Sequence, residues 1–144
     1  PNQVGHYGMV VPSFIKQAVH NEPLTVYGEG NQTRSFCDVR DTVVALDRLA
    51  ASPAAWGEVV NVGNDQEISI RDLADLVVQR AHSTSSLQYI SYKDAYGEEF
   101  EDVTHRRPVL SKLRALTGLE PVWCLSDTLD DLIERENAKI RCFA

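Results

Sequence analysis

The chain has 144 residues, enough for one domain with its own core, and its 43% hydrophobic and 24% charged content is that of a globular protein, not a disordered one. A formal net charge of −7 and a pI near 5.0 exclude a nucleic-acid surface built on clustered Lys and Arg, and no apolar run approaches the roughly 18 residues of a membrane-spanning helix. Cys37, Cys124 and Cys142 are odd in number and far apart, which fits reduced thiols in a cytoplasmic protein, and neither they nor the four scattered histidines show metal-ligand spacing.

From Met9 to His20 the apolar residues Val10, Val11, Phe14, Ile15, Ala18 and Val19 recur at helical spacing, with Pro12 tolerable in the first turn. "PLTVY" at 23–27 and "RSFCDV" at 34–39 are short β-prone runs joined by a glycine-containing segment, which predicts paired strands connected by a turn. Asp41 is expected to cap the next helix, whose Val43, Val44, Leu46 and Ala50 face inward until Ser52-Pro53 ends it. "GEVVNVG" at 57–63 predicts a buried strand. Ser69 and Asp72 form a loose capping box before a helix with Ile70, Leu73, Ala74, Val77 and Ala81 on its buried face, and "SLQYISY" at 86–92 returns to strand character. After the acidic "EEFED" at 98–102 and "HRRP" at 105–108, a short helix through Leu110, Leu113 and Leu116 should end at Gly118. A last helix, capped by Ser126, should bury Leu129, Leu132 and Ile133. The alternation predicts one α/β domain over residues 1–144, a small mixed sheet with about five helices.

Three motifs carry candidate chemistry. Tyr89 and Lys93 match a Tyr-x-x-x-Lys pair, in which the lysine lowers the tyrosine pKa for general-base work. That chemistry needs both residues on one helix, and a strand-like run separates them by about 13 Å at roughly 3.3 Å per residue. Gly5 to Gly8 and Gly28 to Gly30 are fragments of glycine-rich loops, and neither completes a dinucleotide fingerprint. Arg34, directly after the "YGEGNQT" loop, and the Arg106-Arg107 pair can offer planar, permanently charged forks to phosphate oxygens. On pattern alone a solvated surface role for these arginines stays open.

"YGMVVPSFIKQAVHNEPLTVYGEGNQTRSFCDVRDTVVAL", "GEVVNVGNDQEISIRDLA", "AYGEEFEDVTHRRP" and "LTGLEP", in that order, resemble the C-terminal, substrate-binding portion of the NAD-dependent nucleotide-sugar epimerase/dehydratase family, the extended short-chain dehydrogenases. The resemblance implies a fragment-like chain that starts at Pro1 without an initiator methionine, has the Rossmann half absent, carries no cofactor of its own and is not catalytic alone; NAD is implied for a full-length relative. It implies a UDP- or dTDP-sugar as ligand. Val11 and Phe14 would lie beside the nucleotide, and the backbone and ring of Val26-Tyr27 would line the base pocket. Gln32 and Arg34 would reach the pyrophosphate, and Arg106 would close on it from the other side while Arg107 points away. The chain departs from the family pattern at Val109, where an aspartate is common, at Ser13, at Asp38 and at Leu119. A free-standing non-enzymatic phosphate-binding module and a stable remnant that acts through a protein partner remain as alternatives. A surface meant for the missing half could also drive homo-oligomer formation.

Overall fold

In the computed structural model, which describes residues 9–96 and 103–143, the period at the start of the chain forms helix α1 (Val10–Val19). Pro12 sits in its first turn, where its missing N–H would have been unpaired anyway, and Phe14, Ile15 and Ala18 turn inward. Strand β1 (Leu24–Tyr27) buries Leu24 and Val26 alternately and pairs in parallel with β4 (Leu87–Ile90), Leu24 opposite Leu87. A second sheet has β2 (Thr33–Ser35) at its centre, between antiparallel β3 (Glu67–Ser69) and parallel β5 (His105–Arg106). Helices α2 (Val39–Ala51), α3 (Ile70–Arg80), α4 (Tyr92–Tyr96), α5 (Ser111–Thr117) and α6 (Leu125–Phe143) complete the described residues. The α/β class is as expected, with the strands distributed over two small sheets. Among the described residues no helix is long and apolar enough to cross a membrane.

The main core lies where α1, β1, α3 and α6 meet. Phe14, Leu24, Val26, Leu73, Val77 and Leu129 are sealed there, each worth about 1.5–3 kcal/mol relative to exposure. A smaller cluster of Ala45, Leu110 and Leu113 joins α2 to α5, with Leu49, Val60, Val62 and Leu119 packed against it.

Five local expectations change. The two runs that flank the glycines are not hairpin partners: β1 pairs with β4 and β2 with β3 and β5, because the connection is turned onto the start of α3, where Arg71 N donates to Gly30 O and Ile70 N to Gln32 O. The 57–63 run joins no ladder among the described residues. Its alternate residues Val60 and Val62 pack on the smaller cluster while Val59 is 87% exposed, and the Val59 carbonyl accepts from Lys112 Nζ instead of from a strand. On α2 the buried stripe runs through Ala45 and Leu49, which leaves Val43, Val44 and Leu46 outward. Finally, Asp41 does not cap α2 but accepts from Val122 N and Trp123 N, and α6 begins before Ser126, with Cys124 N donating to Asp127 Oδ2 at 3.3 Å. Ser69, by contrast, caps α3 as expected, accepting from Asp72 N at 3.0 Å.

The cap of α2 is Asp38, buried at 5% exposure. Its carboxylate accepts from Arg40 N and Nε at 2.8 Å each, from Arg40 Nη2 at 2.7 Å and from Thr128 Oγ1 at 2.7 Å, which ties α2 to α6. Arg40 in turn pairs with Asp131 at 2.8 Å and lies 3.3 Å over the Trp123 ring. The Arg40 fork holds the Asp38 carboxyl far below the ordinary carboxylate range, against the opposing effect of burial. A carboxyl depressed in the folded state stabilises the fold above its unfolded pKa, near 3.9, and loses that contribution as pH falls below it. Asp38→Asn should therefore destabilise the chain by about 2 kcal/mol at pH 7, and the gap to wild type should narrow at pH 3. Urea unfolding at the two pH values checks this; a gap of the same size at both would mean the ionised carboxylate is not the source.

Candidate functional site

The loop that enters β2 is shaped by its glycines. Gly30 has φ +74, and a Cβ there would come within 2.9 Å of Val26 Cγ1 and 3.1 Å of Arg71 Cβ, so only glycine lets the loop close onto α3. Gln32 Nε2 donates to Tyr27 O at 3.1 Å and staples the two ends of the loop. The chain then runs directly into Thr33 and Arg34.

In β2 and β5 the register sets Thr33 opposite His105 and Arg34 opposite Arg106. Successive residues of a strand point to opposite faces, so the two pairs share no face. On one face Thr33 Oγ1 donates to Glu67 Oε1 at 2.5 Å and lies 2.9 Å from His105 Nδ1. On the other, Arg34 and Arg106 border an open cavity of about 520 Å³. Arg34 Nη1 donates to Thr33 O and Val103 O, both at 2.7 Å, which pins the guanidinium. Parallel pairing thus makes neighbours of two arginines 72 residues apart.

Arg107, Cys37, Asn61 and Asn64 also line this cavity. Arg107 was expected to point away, but β5 ends at Arg106 and strand alternation does not extend to the next residue. The nearby acid Asp65 is already matched: its carboxylate accepts from Arg114 Nη1 at 2.9 Å, and that guanidinium, with a weaker contribution from the charge of Arg107, holds its pKa below the ordinary range. Burial pushes the Cys37 thiol up despite the Thr42 hydroxyl, so at neutral pH it is an uncharged part of the wall. Neighbouring guanidinium forks on one cavity wall can receive an anion that carries several oxygens.

The other expected residues lie elsewhere. Phe14 and Val26 are 1% and 0% exposed, with side chains inside the main core, and Val11 is half-buried against it. Tyr27 is 38% exposed at the far end of the loop, and neither it nor Gln32 borders the cavity. Tyr89 lies on β4 and Lys93 on α4, so the helical adjacency their proton chemistry requires is not formed. The Gly5 to Gly8 fragment and the acidic 98–102 run lie outside the described residues. Asn61, Asn64 and Cys37 escaped sequence reading; the one available signal was the polar ending of a β-prone run, "NVGN".

The model of the NAD dependent epimerase/dehydratase family matches residues 1–63. A UDP-N-acetyl-alpha-D-glucosaminuronate decarboxylase of Bacillus cytotoxicus is 35% identical over 117 residues, 81% of this chain and 36% of that protein. UDP-glucuronic acid decarboxylase 1 of Danio rerio is 39% identical over 127 residues, 88% of this chain and 28% of that protein. Among solved structures, an epimerase from Methanothermobacter thermautotrophicus superposes with a TM-score of 0.81 at 25% identity, covering 94% of this chain and 40% of that one. The chain spans about a third of the length of the curated relatives it matches.

The loop geometry predicts that Gly30→Ala destabilises the fold by about 2 kcal/mol or more, from an unfavourable left-handed φ plus the clash with Val26 and Arg71. Gly118→Ala, at φ +65 with nothing within 4 Å of the new Cβ, should cost only about 1 kcal/mol. Thermal unfolding of both variants ranks them, and equal losses would refute the packing part of the claim.

Proposed function

Since the chain belongs to the NAD dependent epimerase/dehydratase family, we propose that it is a nucleotide-sugar-binding portion, with Arg34 and Arg106 holding the diphosphate of a UDP- or dTDP-linked sugar. The observation that carries this reading is their register pairing on one wall of a single cavity. The decarboxylases named above support a UDP-linked sugar acid as the substrate class. In this reading Tyr27 offers its exposed ring to the base, Gln32 contributes near the pyrophosphate, and Val11, Phe14 and Val26 act through backbone and packing, because the Phe14 and Val26 side chains belong to the core.

The cofactor implied by the family name finds no fitting site among the described residues. Tyr89 and Lys93 do not share a helix, and no glycine fingerprint opens one. Oxidation by NAD is therefore assigned to parts of a full-length protein outside this chain, and the outward Val43, Val44 and Leu46 on α2 offer an apolar face that such a part, or a second copy, could cover.

UDP should bind with a dissociation constant near the millimolar range, about 4 kcal/mol, and uridine should not bind detectably. Each charge-assisted contact is worth about 1.5–3 kcal/mol, so Arg34→Ala or Arg106→Ala should remove the UDP response. NMR titration reads this out, and identical shifts in wild type and both variants would sink the reading. The isolated chain should also give no saturable fluorescence or calorimetric signal with NAD; such a signal would show that the assignment of the cofactor elsewhere is wrong.

A further inference from the structure

One polar side chain of the cavity is held by its oxygen and has its nitrogen to spare. Asn64 is only 8% exposed. Its Oδ1 accepts from Gln66 N at 2.8 Å, closing a turn through the side chain. That bond orients the amide, and it leaves Nδ2 with both hydrogens and no protein acceptor among the described residues. Among the described residues no side-chain nitrogen or oxygen is sealed from solvent without a partner, so Nδ2 keeps contact with solvent, and Asn64 borders the arginine-lined cavity. Those hydrogens are left to water or to a ligand in the cavity, and the amide that carries them is already oriented.

The neighbouring packing fixes where this donor sits. A Cβ on Gly63 would lie 3.2 Å from Pro108 Cγ, so the 63–64 backbone is held against the Arg106-Arg107-Pro108 segment. Asn61 Nδ2 donates to Val109 O at 3.3 Å and joins the same two segments. Asn64 thus faces the cavity from the wall that adjoins the arginine pair.

We propose that Asn64 is a further ligand-holding residue, donating from Nδ2 to an oxygen of the bound diphosphate alongside the arginine forks. This rests on reading the cavity as the diphosphate site. The division of labour follows from charge: the arginines supply attraction, and a neutral, rigidly held amide adds a directional donor. An aspartate would close the same turn but place an anion against the ligand.

The test uses the 144-residue chain labelled with nitrogen-15. The Nδ2 signals of Asn64 are identified by their loss in Asn64→Asp, then followed during titration with UDP and with uridine. UDP should move them together with the backbone signals of Arg34 and Arg106, and uridine should leave them in place. Asn64→Asp retains the acceptor for Gln66, so its melting temperature should stay close to wild type while its affinity for UDP falls roughly tenfold or more. The neutral Asn64→Ser, too short to reach the ligand, should weaken UDP several-fold and so separates lost donation from added charge. If UDP shifts the arginine signals while the Asn64 pair stays put and Asn64→Ser binds as wild type does, Asn64 only forms a turn and the inference is overturned, with the cavity reading intact. If UDP moves neither set of signals, both fall together.

Discussion

The backbone amides of Arg71 and Ile70 donate to the carbonyls of Gly30 and Gln32, and both sheets hang from that junction. The first amides of a helix have no partner within it, and here the 28–32 loop supplies two carbonyl acceptors. Seated this way, the loop leaves β1 in the layer beside the main core and delivers β2 into a different sheet. Ser69 holds the same helix end by accepting from Asp72 N, and because Ser69 also closes β3, the cap and the strand partner of β2 are one feature of the chain. The positions of Arg34 and of everything that pairs with it follow from this seating.

What could be read from the chain in advance was what is decided within a few residues. The α1 face, the Ser69 cap and the Gly118 stop depend on local spacing, and they are where the residues indicate. Strand partners are decided by which acceptors lie nearest in space, so the hairpin expected around Gly28 and Gly30 gave way to ladders with segments 34 and 72 residues further on. The inward face of α2 was misjudged because apolar residues recur on every side of the helix, and it is Ala45 and Leu49 that pack into the smaller cluster. Arg34 and Arg106 stand out in the sequence as candidate phosphate ligands by their charge and by family resemblance; that they share a cavity, and that Asn61 and Asn64 line it, was not legible, since a wall outside any ladder leaves no periodic mark.

Two of the described acids are matched away from the cavity arginines. Asp65 is occupied by Arg114, and Asp38 by Arg40 and Thr128, so neither carboxylate competes for the cavity arginines. The same matching makes structural use of groups that would otherwise be costly to bury, since Asp38 is tolerated inside only with its hydrogen bonds filled.

The outward face of α2 bears on how the molecule behaves in concentrated solution. Val39, Val43 and Leu46 recur at i, i+4 and i+7 and form a sticky stripe on one side of the particle. Short-range adhesion along that stripe is opposed by longer-range repulsion between copies of net charge −7. The repulsion fades as the medium approaches the isoelectric point near 5.0, whereas the adhesion does not depend on pH. Charge repulsion is thus asymmetric about neutrality: mild alkali maintains it between copies, and mild acid removes it.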